Sequence, residues 1–105
     1  MSTGVVVVNF NNASDTIDCI LSLATALSVC DHLYVIDNGS ILKEWETLAG
    51  FIDQNKQSFS HIELIRLDEN SGFAAGHNVG IKRSLSDRMR STLILNNDTI
   101  VQMYL

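Results

Sequence analysis

Three apolar segments of this 105-residue chain run directly into polar loops, and this pattern constrains the fold more than any other feature. The segments and their loops are Val5-Val6-Val7-Val8 with Asn9-Phe10-Asn11-Asn12, Leu33-Tyr34-Val35-Ile36 with Asp37-Asn38-Gly39-Ser40, and Thr92-Leu93-Ile94-Leu95 with Asn96-Asn97-Asp98-Thr99. A continuous β-branched run such as residues 5–8 suits a strand covered on both faces of a parallel sheet. Ligands of open parallel sheets bind beyond the carboxyl ends of the strands. The sequence therefore predicts one site built from three loops.

Strand and helix patterns alternate along the whole chain. Predicted strands cover residues 5–8, 33–36, 62–67 and 92–95, and predicted helices cover residues 15–28, 42–55 and 73–85. Residues 62–67 alternate between apolar and polar, which indicates a strand with one partly solvated face near a sheet edge. Right-handed crossovers place such units in one parallel sheet with helices on both faces. The predicted fold is an α/β, three-layer Rossmann-like sheet, and residues 1–105 form a single domain.

Charge and composition narrow the choice of partners. The formal net charge is -5 and the seven basic residues are scattered, so nucleic acid is not an expected partner. A phosphorylated ligand would need a cation or a helix N-terminus beside it, because the overall field repels anions. No segment has the length of a membrane span or the features of a secretory signal, so a cytoplasmic location is expected. Cys19 and Cys30 lack metal or redox spacing and are expected to be reduced, buried or half-buried thiols.

Three glycines are spaced four apart: Gly72 directly precedes the third predicted helix, and Gly76 and Gly80 fall within it. Glycine inside a helix costs about 1 kcal/mol relative to alanine, so this spacing needs a compensating reason. One reason is close packing of the helix backbone against the sheet. The other is close approach of a ligand to the helix start, with Asn78 directed toward it. The residue pattern leaves both readings open.

The loop after the first strand argues against other nucleotide-binding classes. A Rossmann dehydrogenase carries its glycine-rich fingerprint at this place, whereas this chain has Asn9-Phe10-Asn11-Asn12. Sugar nucleotidyltransferases also favour a glycine-rich first loop, and they are disfavoured for the same reason. No P-loop pattern is present.

Four motifs in chain order resemble the first half of a family 2 glycosyltransferase of the GT-A fold, closest to the bacterial rhamnosyltransferase-like members. The motifs are Val7-Val8-Asn9-Phe10-Asn11, Asp37-Asn38-Gly39-Ser40, Asn70-Ser71-Gly72-Phe73-Ala74-Ala75-Gly76-His77-Asn78-Val79-Gly80-Ile81 and Leu95-Asn96-Asn97-Asp98-Thr99. The resemblance covers residues 5 to about 101. It implies a partial GT-A fold that binds a nucleotide-diphospho-sugar, UDP- or dTDP-linked, for transfer to a cell-surface glycan in bacterial cell wall polysaccharide biosynthesis.

The resemblance also implies roles for matched residues. Phe10 is similar to the aromatic residue that lies against the nucleobase, and Asp37 to the acid that reads the base or ribose, so Asp37 is expected to serve the ligand more than the core. Asp98 resembles the metal ligand of a DXD-like motif, with Asn96 in place of its first acid. The implied cofactor is Mg²⁺ or Mn²⁺, which stabilises the leaving diphosphate. The implied nucleotide-sugar site comprises Asn9, Phe10, Asn11, Asp37, Asn38, Asn70, Gly72, Phe73, Ala74, Asn78, Asn96, Asn97 and Asp98.

A complete enzyme of this kind needs a second half with the acceptor site and the general base. No acid follows Asp98, so the chain is expected to be a donor-binding half that is inactive alone and truncated before its acceptor half. The alternatives are a non-catalytic nucleotide-binding module and a self-associating fragment. For the latter, apolar residues around Ile100, Val101 and Met103-Tyr104-Leu105 are expected to form a homodimer or to fold back over the sheet.

Overall fold

The structure, a computed structural model, describes residues 2–102 and consists of one parallel sheet covered by helices. Its strands are β1 (Thr3–Asn9), β2 (His32–Asn38), β3 (Ile62–Leu67) and β4 (Ser91–Leu95); its helices are α1 (Ala13–Leu23), α2 (Leu42–Asn55) and α3 (Phe73–Ser86), with a short 3-10 turn at Lys56–Ser58. Neighbouring strands pair in parallel in the order β3-β2-β1-β4. The predicted parallel α/β sheet is therefore confirmed.

The strand order reverses at β1. The chain moves outward from β1 to β2 and β3, and α3 then returns it to β4 on the other side of β1. Helices α1 and α2 cover one face and α3 covers the other, which is the arrangement that right-handed crossovers produce. The crevice between the carboxyl ends of β1 and β4 is thus the expected ligand position of this topology.

The central strands β1 and β2 are buried on both faces, and this explains their unbroken apolar sequences. Val5 and Val7 pack toward α1 and α2, whereas Val6 and Val8 pack toward α3. The edge strand β3 is half-buried, as its alternating sequence predicts. The opposite edge strand β4 leaves Leu93 and Ile94 exposed by 48% and 42%.

Helix α1 is shorter than predicted, since it ends at Leu23 and not near residue 28. The backbone N–H and hydroxyl of Ser28 donate to Asp31 Oδ2, at 2.8 and 3.1 Å. Such local side-chain bonds compete with helical ones and favour a turn. Cys30 lies in this turned segment and is exposed, so the expectation of a buried or half-buried thiol is wrong for Cys30 and right for Cys19; both thiols are free.

Within residues 2–102, no helix combines the length and the apolar character that crossing a membrane requires. The predicted apolar contacts of Met103, Tyr104 and Leu105 lie outside the described residues.

Candidate functional site

The ends of β1 and β2 are joined by a buried network of polar side chains. Asn9 and Asp37 are paired in the strand register and both are fully buried. Asn9 Nδ2 donates to Asp37 Oδ1 at 2.9 Å, and Ser40 donates to the same carboxylate through its hydroxyl at 2.7 Å and its backbone N–H at 3.2 Å. Asp37 therefore stabilises the β2–α2 turn. This differs from the expectation that Asp37 serves a ligand more than the core.

The network continues into α1 and the loop after β4. The buried hydroxyl of Thr16 donates to Asn9 Oδ1 at 2.6 Å, and Asn97 Nδ2 lies 3.2 Å from the same hydroxyl as donor. The backbone carbonyl of Asn96 accepts from Thr99, which makes a turn, and it also lies 3.9 Å from the thiol of Cys19. The loop after β4 is therefore held against α1, beside the crevice at the carboxyl ends of β1 and β4.

The β1–α1 loop is fastened to the β2–α2 loop by reciprocal bonds. The Asn11 N–H donates to Ser40 Oγ, and the Ile41 N–H donates to Asn11 Oδ1, each at 2.8 Å. Asn11 has a φ of 49°, a left-handed conformation that asparagine tolerates better than most residues. These bonds hold the loop while Phe10 remains 36% exposed at its outer side.

The β3–α3 loop is held by Asn38 at the end of β2. Asn38 Nδ2 donates to Asn70 Oδ1 at 3.1 Å and to the Gly72 carbonyl at 3.0 Å, and its Oδ1 accepts from the Ser71 N–H at 3.3 Å. Gly39 has a φ of 74°, and a Cβ there would collide with the backbone of the loop at residues 69–70. The tight approach of the two loops therefore depends on glycine at this position.

The three spaced glycines have different roles. A Cβ on Gly76 would meet Val8 at 3.0 Å, and one on Gly80 would collide with Val6, so both positions allow α3 to pack closely on β1. Gly72 begins the helix with a φ of 89° and faces open space. Close packing of the helix on the sheet therefore explains Gly76 and Gly80. Gly72 lies at the start of α3 with open space beside it.

Asn78 lies apart from the other predicted residues. It is exposed, and at 100° per residue it lies on the side of α3 opposite Gly76 and Gly80, which face the sheet. Phe73 and Ala74 are also exposed, but they lie in the first turn of α3, beside the β3–α3 loop.

Asp98 presents an exposed carboxylate in the loop after β4. Burial raises the pKa of the Cys19 thiol, and the nearby negative charge of Asp98 raises it further. The Cys19 thiol lies 3.9 Å from the Asn96 carbonyl, so the loop that carries Asp98 lies beside α1. Asn96 and Asn97 directly precede Asp98 in the chain, and Asn97 Nδ2 bonds to the Thr16 hydroxyl of α1. Carboxylate and amide oxygens are the ligand types that Mg²⁺ and other hard cations take, so the residues fit the implied metal.

The structure gathers most of the predicted residues at one edge but in two hydrogen-bonded groups. The first group contains Asn9, Asn11, Asp37 and Asn97, and the second contains Asn38, Asn70 and Gly72. Two residues that link members of the first group, Thr16 and Ser40, were not predicted as site residues. Thr16 could have been found as a polar residue on the apolar stripe of α1, at helical spacing from Ile20 and Leu23.

A parallel sheet whose strand order reverses beside a cluster of polar loops defines the class of protein: an α/β domain with its ligand edge at the carboxyl ends of the strands. Within that class, the family model described as glycosyl transferase family 2 matches residues 4–103, and the chain belongs to this family. The predicted resemblance is thereby confirmed at the level of the family. A comparison with curated protein sequences finds no match.

Solved structures of S. aureus TarS are similar in fold. TarS 1–349 superposes with a TM-score of 0.72 at 17% sequence identity, covering 93% of this chain and 28% of that chain. TarS 1–349 in complex with UDP gives a TM-score of 0.72 at 18% identity, and a further TarS chain matches equally, with 17% of its length covered. The likeness confirms the predicted partial GT-A fold, and the chain spans less than a third of each TarS chain.

Proposed function

We propose that this chain binds a nucleotide-diphospho-sugar, UDP- or dTDP-linked, as the donor-binding part of a family 2 glycosyltransferase. The observation that carries the proposal is that hydrogen bonds join four loops beyond the carboxyl ends of the strands. These bonds preorganise the edge, and preorganisation reduces the ordering cost of binding. Family membership and the UDP found with one TarS structure support the same ligand class.

Phe10 and Asp37 are the proposed nucleobase residues. The exposed ring of Phe10 offers a face for stacking on the base. Asp37 accepts two hydrogen bonds on Oδ1 and one on Oδ2, which leaves one acceptor position on Oδ2 for a base N–H. Arg66, whose Nε lies 4.0 Å from that oxygen, stands beside this position and would have to make room for the base.

The start of α3 and Asp98 are the proposed diphosphate and sugar side of the site. Gly72 provides no side-chain cap for the first turn of α3, so the N–H groups of residues 73–75 are suited to an anion. Asn70, Phe73 and Ala74 are proposed to lie beside the ribose and the donor sugar, whereas Asn78 lies on the far side of α3 and is not included. Asp98 would hold Mg²⁺ or Mn²⁺, which when bound offsets charge on the leaving diphosphate.

The acceptor side of the reaction is proposed to lie elsewhere. We assign no general base among residues 2–102, and the acceptor pocket is proposed to belong to the additional length that the TarS chains have. A cell-surface glycan as acceptor, a rhamnosyl-type donor and a cytoplasmic location remain parts of the proposal. The isolated chain is expected to show no sugar transfer, because general-base catalysis alone supplies about 10²–10⁴-fold in rate.

A second candidate, self-association, is favoured by one observation. The edge strand β4 leaves Leu93 and Ile94 exposed, and an open apolar strand edge invites pairing with another chain. A homodimer through this edge would be compatible with nucleotide binding at the loops. Light scattering tests it, and a strictly monomeric mass at high concentration would rule it out.

Calorimetric titration with UDP in the presence of Mg²⁺ tests the proposed function. We expect saturable binding that Asp98→Ala weakens by at least about tenfold. Loss of a residue that merely supports a metal ligand already costs about 10–100-fold in metal affinity. The matched control is Asp53→Ala, which removes an exposed carboxylate from α2. Equal affinity of wild type and Asp98→Ala would remove Asp98 from the metal role, and an absence of binding would overturn the proposal.

A further inference from the structure

A second group of metal-ligating side chains lies at the amino ends of the strands, opposite the polar loops. His32 begins β2, His61 directly precedes β3, and Asp87 is the C-terminal cap of α3. One ligand atom from each of the three side chains lies within 4.8 Å of the other two. The amino ends of the strands carry this group, so it is separated by the length of the sheet from Asp98 and the polar loops. None of its members belongs to the proposed nucleotide site.

The spacing of the three side chains is close to that of a metal site. In a tetrahedral zinc site with bonds of about 2.0–2.1 Å, neighbouring ligand atoms lie about 3.3–3.4 Å apart. His32 Nδ1 already lies 3.6 Å from Asp87 Oδ2. The rings of His32 and His61 are stacked at a centroid distance of 4.0 Å and an interplanar angle of 20°. Small side-chain rotations that splay the two rings would therefore bring the ligand atoms onto one ion.

His61 provides the observation that points to a ligand. Its Nε2 atom is shielded from solvent and has no hydrogen-bond partner within residues 2–102. A buried polar atom without a partner is uncommon in folded proteins and costs free energy. A metal ion bound to Nε2 would give this atom a partner, whereas stacking on the His32 ring leaves it without one.

Tyr34 supports the carboxylate of the group. Its hydroxyl donates to Asp87 Oδ2 at 2.6 Å and lies 3.0 Å from His32 Nδ1. The ring of Tyr34 is fully buried beneath α3, so the hydroxyl has little freedom to move. Metal-binding carboxylates are commonly oriented by such a hydrogen bond, and Asp87 Oδ2 keeps a second lone pair for an ion while it accepts from Tyr34.

We propose that His32, His61 and Asp87 bind a transition-metal ion of the zinc type. Two imidazoles and one carboxylate suit Zn²⁺, whereas Mg²⁺ requires oxygen ligands in near-octahedral geometry. Three protein ligands leave the fourth tetrahedral position to water. The ion would tie the starts of β2 and β3 to the end of α3, and it would therefore stabilise the fold at the edge opposite the nucleotide.

Titration of the metal-free chain with Zn²⁺ tests the proposal. We expect one equivalent to bind and to raise the melting temperature, and we expect His32→Ala and His61→Ala each to lower the affinity by at least about 10–100-fold. The chain has three histidines, so His77→Ala is a matched control and is expected to bind like the wild type. Excess Mg²⁺ should not compete.

Asp87→Asn adds a variant of nearly unchanged shape, in case an alanine variant fails to fold. It retains an oxygen for the Tyr34 hydroxyl and lacks the charge that binds the ion, so it should fold without zinc and bind zinc more weakly. The absence of one-equivalent binding, or wild-type affinity in His61→Ala or Asp87→Asn, would overturn the proposal. Binding of UDP with Mg²⁺ does not depend on this group, so failure here leaves the nucleotide proposal untouched.

Discussion

The residues of the predicted site at the carboxyl ends of the strands form two sets that differ in burial. Asn9, Asp37 and Ser40 are buried, and their side chains bond mainly to one another and to neighbouring loops. Phe10 and Asp98 are exposed and are held in place by the backbone around them. Motifs at strand ends therefore combine residues that position the loops with residues that can contact a ligand. The two kinds of residue look alike in sequence and differ in burial, and Asp37 is the exception in our proposal, since it is buried and still keeps one acceptor position on Oδ2 for the base.

The largest expected effect is a difference in folding stability between a variant of the buried set and a variant of the exposed set. Asp37→Ala removes the acceptor for Asn9 Nδ2 and for two donors of Ser40, all of them buried. Leaving buried donors unsatisfied costs about 1–3 kcal/mol each, and we expect a loss of about 2–4 kcal/mol because the turn relaxes in part. Urea unfolding measures it. Asp98→Ala is the exposed counterpart, and it should change stability by less than about 0.5 kcal/mol. Equal stability of the two variants would abolish the distinction.

The close packing of α3 on β1 can be tested by substituting two glycines with alanine. A methyl group on Gly80 would collide with Val6, whereas one on Gly50, in α2, would meet nothing within 4 Å. Gly80→Ala is expected to destabilise by about 1–3 kcal/mol through overpacking. Gly50→Ala is expected to stabilise by about 0.5–1 kcal/mol, since alanine is the better helix former. Thermal or urea unfolding compares them, and a stabilising Gly80→Ala would contradict the close packing of α3 on β1.

The smallest expected effect is on thiol reactivity. The thiolate is the reactive form of cysteine, and burial followed by the charge of Asp98 raises the pKa of Cys19 above its usual value. At pH 8 the native chain should therefore be alkylated at the exposed Cys30, and Cys19 should react slowly until the pH rises toward its raised pKa. Asp98→Asn removes the second cause and should accelerate the Cys19 reaction slightly. Mass spectrometry follows both sites, and no acceleration would place Asp98 away from α1.

Elements with strong patterns could be predicted from the sequence. The predicted bounds of α2 and β3 match the structure. Strand β1 is longer than predicted, since it also includes Thr3, Gly4 and Asn9, and β2 also includes His32, Asp37 and Asn38. The end of α1 was missed because the turn bonds between Ser28 and Asp31 compete with the helix. Local patterns also do not encode strand order, so the β3-β2-β1-β4 arrangement came from the structure.

The site was predicted in outline and its connections were not. Polar loops at strand ends indicated which edge binds the ligand, because all parallel strands end at the same edge. Which side chains bond across loops depends on the register of β1 with β2, and this placed Asn9 against Asp37. The group of His32, His61 and Asp87 was not foreseen, because its members come from three elements far apart in the sequence.

We propose that a nucleotide binds mainly at the exposed residues beyond the carboxyl ends of the strands, and that the buried residues hold these in place. Chemical-shift mapping of the ¹⁵N-labelled chain with UDP and Mg²⁺ tests this proposal. We expect shifts at Phe10, at residues 70–75 and at Asp98, and unchanged signals at His61 and Asp87. Shifts confined to the amino ends of the strands, or no shifts at saturating UDP, would contradict it.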